Sequence, residues 1–252
     1  KDDKVISLNS ITKENLYTCY NTFYHPSNMF LVVTGNINPE DVIKLVKDNM
    51  SKRKFDKSQK IKIKSYDEPN EVALKNEVKK MDVNIPKVGI GYKLNIDGIN
   101  LPYKQIYNYL SLFFEIKFDS TSLLGEKLKD NKIINDDLYI TFTAVDNFIC
   151  PYILGETKNA KKLISAIQKE VLDLNVNKSD FERKVNATIA SLIGASDNIY
   201  AINSKIMNNI IKYNKVITND YDLIKNMNYN DFKKVIKHID FSNYLTYIIK
   251  SK

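Results

Sequence analysis

Tryptophan is absent from these 252 residues, and histidine, cysteine and arginine occur only twice each. The shortage of histidine bears first on metal chemistry. His25 and His238 lie near opposite ends of the chain and form no short-spaced ligand pair. Cys19 and Cys150 are equally separated and make no CxxC motif, so they read as two buried thiols of an intracellular protein rather than a bridge. Arg53 and Arg183 are the only arginines, so the net charge of +8 is carried by lysine. Base-reading proteins favour arginine for bidentate contacts, and no helix here carries a basic stripe interleaved with aromatics, which argues against a nucleic-acid partner. No apolar run approaches the roughly 18 residues of a membrane span, the longest being pieces such as Phe30-Leu31-Val32-Val33. Lys1-Asp2-Asp3-Lys4 contains no initiator methionine and leads into no signal peptide, so the chain is expected to begin inside a longer, cytoplasmic protein. The glycine pair Gly89 and Gly91 lacks the third glycine of a dinucleotide fingerprint, and Ser191-Leu192-Ile193-Gly194-Ala195-Ser196 holds no G-x-S-x-G elbow.

What is present is ordinary globular material, 43% hydrophobic and 27% charged. A chain of this length buries about 70–75% of its unfolded surface and needs neither disulfide nor metal to fold. Thr12 to Tyr24 reads as a helix capped by Thr12, with Ile11 and Leu16 placed as a hydrophobic staple, and His25-Pro26 ends it. Met29 to Thr34 is an apolar run of strand length closed by Gly35. A second helix follows, with Asn38 as cap, Pro39 in its first turn, Glu40 and Asp41 at its positive end, and Val42, Leu45, Val46 and Met50 on one face. Residues 51–66 carry seven basic side chains against one acidic and read as a solvated basic linker.

A new pattern starts at residue 67. Strands are expected at 72–81 and 86–94, helices at 101–118 and from a cap near Ser120 or Ser122 to Lys129, and a strand pair at 138–144 and 148–155. Helices at 158–173, 178–194, 196–213 and 228–239 and a last strand at 244–249 complete the chain. This order predicts an α+β fold, an antiparallel sheet with helices packed on one face. His238, near a helix end, reads as structural. The stretch Ile11 to Leu16 is echoed by Met227 to Phe232, with the same staple spacing and cap. Each copy then reaches Ser-Asn and an apolar strand, at Ser27-Asn28 and Ser242-Asn243, which points to an internal duplication. On that reading residues 1–50 end one copy, 51–66 link, and 67–252 form a second, whole copy.

The segment ITKENLYTCYNTFYHPSNMFLVVTGNINPEDV resembles the end of the first domain of pitrilysin/insulinase-type zinc peptidases. PKVGIGYK, STSLLGEKLKDNKIINDDLY and DFERKVNATIASLIGASDN are similar to the second domain of the shorter bacterial members. The resemblance implies the duplicated α+β domain of the pitrilysin and mitochondrial-processing-peptidase group, closed as a clamshell on an unfolded peptide. In that family an upstream HxxEH helix binds zinc and supplies the general base; neither histidine here stands in such a motif, so the chain alone is expected to be an inactive, peptide-binding part of a zinc metalloendopeptidase. The zinc is expected in the upstream catalytic domain, with none in this chain. The expected partners are an unfolded peptide and that upstream domain or a homologous subunit. A structural or partner-binding subunit of the same fold is the alternative. Larger members hold the peptide with an Arg and a Tyr six or seven residues apart. Lys129 stands in the Arg position and Tyr139 follows ten residues on, and lysine lacks the planar guanidinium fork.

Overall fold

The structure is a computed structural model that describes residues 8–55, 61, 64 and 67–252. Most of the basic linker, residues 56–60, 62–63 and 65–66, therefore lies outside the described residues. The chain divides into two compact units, one of residues up to Tyr66 with Gly194–Ile217, the other of Asp67–Ile193 with Thr218–Lys252.

In the first unit, helix α1 (Lys13–Phe23) starts where Thr12 accepts a hydrogen bond from the Asn15 amide. It stops before His25-Pro26, where the His25 ring accepts from the Ser27 amide at 3.2 Å, local closure of the kind expected of this residue. Helix α2 (Pro39–Ser51) starts at Asn38, whose side chain accepts from the Glu40 amide. The strand expected at Met29–Thr34 is not formed: Met29 is extended, but no described strand offers it a ladder. An apolar run becomes a strand only when a neighbour takes up its amides and carbonyls. Cys19 is exposed, which corrects its expected burial, and Cys150 is half-buried; both are free thiols.

The second unit is built on a six-stranded sheet of β1 (Asn76–Met81), β2 (Lys87–Tyr92), β3 (Leu94–Asn95), β4 (Tyr139–Val145), β5 (Phe148–Glu156) and β6 (Tyr244–Ser251). The order is β1-β6-β2-β5, with β2 and β3 on one side of β5 and β4 paired to β5 as well. All pairings are antiparallel except that between β1 and β6. That pair joins the first and last strands of the unit, which no hairpin connects, so no turn imposes opposite directions. Helices α3 (Tyr103–Phe118) and α5 (Ala160–Leu172) lie on one face of the sheet, and α9 (Tyr229–His238) packs on α3. Helices α4 (Leu123–Asp130), α6 (Lys178–Ser196), α7 (Ile199–Tyr213) and α8 (Asp220–Lys225) complete the set, the unit boundary falling in the last turn of α6.

Periodicity explains which face is buried. Strand side chains alternate, and Val88, Ile90 and Tyr92 of β2 join Ile149 and Ile153 of β5 beneath Phe113, Phe114 and Phe118 of α3. At the rim of this core the buried Lys117 ammonium meets Glu170 at 3.1 Å and Asp173 at 3.2 Å, so its charge is compensated where it is desolvated. His238 closes α9 by contacting the Asp97 carbonyl at 2.8 Å, a structural role.

Candidate functional site

The helices cover one face of the sheet; the other face carries a groove of about 660 Å³. Its floor is the central strand β2, whose outward positions Gly89 and Gly91 have no side chain. Register supplies the walls. Gly89 lies between Leu154 of β5 and Tyr247 of β6, and Gly91 between Tyr152 and Leu245. A Cβ on Gly89 would meet Leu154 Cδ2 at 3.0 Å, and one on Gly91 would meet the Tyr152 ring at 2.8 Å. Two glycines at alternate positions of a central strand are what open the trough, in the manner of strand glycines that admit a close approach.

One end of the groove is charged. Asp136, Asp137 and Glu156 lie there beside the exposed ring of Tyr139. Lys87 pairs with Glu156 at 2.6 Å, and the Lys129 ammonium pairs with the Asp137 carboxylate. The two candidate residues are thus placed differently. Tyr139, the first residue of β4, lines the groove, whereas Lys129 is not among the lining residues and meets it only through Asp137.

At the other end, residues 68–74 cover the sheet and enclose a second cavity of about 360 Å³ that shares Gly91, Tyr152 and Leu245 with the groove. Asn243 fastens this strap, accepting from the Val72 amide at 3.0 Å and donating to the Asn70 carbonyl at 2.6 Å. Lys93 holds Glu68 while its ammonium stands 4.6 Å from the Phe148 ring centre. Cys150 lies beneath, its thiol pushed above the usual cysteine value by burial.

The profile described as "Peptidase M16 inactive domain" matches residues 10–188. The chain belongs to the peptidase M16 family. It is 34% identical over 170 residues to the "Uncharacterized zinc protease YmfH" of Bacillus subtilis (strain 168), a match covering 67% of this chain and 40% of that protein. The fold is shared with an M16-like peptidase from Alicyclobacillus acidocaldarius, at TM-score 0.85 and 20% identity, over 98% of this chain and 60% of that one. It is also shared with a protease from Helicobacter pylori, at TM-score 0.80 and 15% identity, over 96% and 59% of the two chains. This M16 chain therefore spans 40% of its Bacillus relative.

The name of the Bacillus relative carries zinc, a metal that needs a convergent set of His, Cys, Asp or Glu donors. Among the described residues no three of His, Cys, Asp or Glu converge to hold a metal; the His25 ring is hydrogen-bonded to the Ser27 amide and the His238 ring to the Asp97 carbonyl. The described residues do not fit a catalytic zinc. Among them, too, no helix is long and apolar enough to cross a membrane.

The groove was missed in the sequence because its walls come from β5 and β6, about a hundred residues apart. The one local signal was Gly89 and Gly91 at period two, both on one face of a strand.

Proposed function

We propose that this chain is the peptide-holding, non-catalytic part of a zinc metalloendopeptidase, and that the glycine-floored groove is where an unfolded peptide lies. The observation that carries the reading is the groove itself: an open, mainly apolar trough on the helix-free face of an M16 inactive domain. Extended peptide fits such a trough because its alternate side chains can point down onto the sheet face. Tyr139 contributes contact surface at the charged end, and Lys129 contributes through Asp137. Zinc and the general base belong to a catalytic domain upstream of this chain.

Binding to this chain is weak, because half of a two-sided chamber supplies part of the contact area while the peptide still loses its conformational freedom. The test is a fluorescence-anisotropy titration of a labelled unfolded peptide into the chain and into Gly89→Val. Valine fills the floor at a position where the nearest obstacle is the end of a leucine side chain, and it suits a strand. The expected result is unchanged thermal unfolding with loss of binding; Tyr139→Ala lowers affinity less. Equal binding by Gly89→Val refutes the groove. Absence of binding in both this chain and a catalytically disabled parent protein supports the structural-subunit reading.

A further inference from the structure

In this chain the side chain in the Arg position does not face the groove. The Lys129 ammonium is spent on the Asp137 carboxylate, and it is carboxylates that line the trough beside Tyr139. Three acidic groups, Asp136, Asp137 and Glu156, share that end with two lysines, each already paired to one of them. Asp136 has no ion pair among the described residues, so one negative charge is left over at the mouth of an otherwise apolar trough, on a chain whose net charge is +8.

From this juxtaposition we infer that the Tyr139 end of the groove selects a cationic side chain, lysine or arginine, next to an extended apolar stretch of peptide. The inference rests on the peptide-binding reading above and gives that site its specificity. Asp136 is the recognising carboxylate. Lys129 is a positioning residue: it holds Asp137 and neutralises it, so that the end carries a single excess charge rather than two. Aromatic surface from Tyr139 adds to the preference, since a cation near a tyrosine face is attracted to its quadrupole. All these groups are solvent-accessible, so the preference is modest and falls with salt.

The experiment uses the full chain and three labelled peptides on one Val/Thr/Ile background, identical except for lysine, norleucine or glutamate at one position. At low ionic strength the lysine peptide binds about two- to five-fold more tightly than the norleucine peptide, the range of one exposed ion pair. The glutamate peptide binds more weakly than either, and the differences vanish near 1 M salt, where the Debye length is about 3 Å. Asp136→Asn abolishes the lysine preference, bringing the lysine and norleucine peptides to equal affinity, and leaves thermal unfolding unchanged. Lys129→Gln strengthens lysine-peptide binding, because it frees the Asp137 charge. That sign separates positioning from contact: if Lys129→Gln weakens binding of the glutamate peptide and does nothing for the lysine peptide, Lys129 itself faces the peptide and the inference is overturned. Binding with no charge preference overturns it while leaving the groove intact. Binding of none of the three peptides, to this chain or to a catalytically disabled parent protein, removes the peptide reading and this inference together.

Discussion

Tyr92 shows what a single side chain can reveal about the core. Its ring packs against Phe114, Phe241 and Tyr244, with centroids 5.9, 6.4 and 5.7 Å away. Its hydroxyl is buried without a hydrogen-bond partner, and burial raises its pKa far above that of a free tyrosine. A buried unpaired hydroxyl costs free energy that a phenylalanine would not. Tyr92→Phe is therefore expected to leave stability unchanged or raise it by about 1 kcal/mol, read as a midpoint shift in chemical denaturation. A loss of more than that amount would reveal a bound water on the hydroxyl. The two cysteines give a second residue-scale test. Cys19 is exposed on α1, while Cys150 lies under the strap with its thiol pKa raised by burial. Because the thiolate is the reactive form, Cys19 is modified first by iodoacetamide near pH 8, and Cys150 lags and needs higher pH. Mass spectrometry of partly labelled chain reads this directly; equal rates at the two sites would contradict the covered position of Cys150.

At the scale of elements, what was legible in the sequence was local. Thr12, Asn38, Ser122 and Asn228 each cap a helix as their types and positions predict, because a cap is decided within three residues of itself. The strands of the second unit were expected close to where they form, although β1 starts at Asn76 rather than at residue 72. Met29–Thr34 was read as a strand from a continuous apolar run of strand length and fails for want of a partner, a property no single segment encodes. The parallel pairing of β1 with β6 was hidden for the same reason. Of the candidate site, Tyr139 came from resemblance and lines the groove, but the Lys129–Asp137 pair and the acidic mouth depend on a loop folding back onto α4. Caps also rank the helices by what they support. Asn228 accepts from the Asn230 and Asp231 amides, and α9 buries Phe232, Val235 and Ile236, so Asn228→Ala should cost about 1 kcal/mol of global stability. Thr12→Ala removes the same kind of bond from α1, which buries no residue, and should leave the main denaturation midpoint in place. Equal shifts from the two substitutions would mean that α1 is part of the cooperative core.

The whole molecule is uneven in a way that the chain order conceals. Every buried apolar side chain among the described residues belongs to the second unit; in the first, Met29, Leu31, Ile43 and Leu45 are all largely exposed. Helix α7 is carried by residues well inside the stretch 67–252, yet its contacts are with the first unit's own segment. Asn203 donates to the Val32 carbonyl and to the Thr34 hydroxyl, each at 3.2 Å, and α7 buries only Asn209. The stretch 67–252, proposed as a complete domain, should then behave in two parts when expressed alone. Its sheet and covering helices contain the whole hydrophobic core and should unfold in one sharp transition. Helix α7, deprived of Val32 and Thr34, should lose most of its amide protection, since a helix with little buried apolar surface has little tertiary support. Hydrogen exchange followed by mass spectrometry separates the two outcomes within one sample. Slow exchange in β2, β5 and β6 with fast exchange across 199–213 is the expected pattern. A broad, uncooperative melt would show that the sheet needs the first 66 residues and would move the boundary upstream, whereas full protection of α7 would show that it holds to the second unit without them.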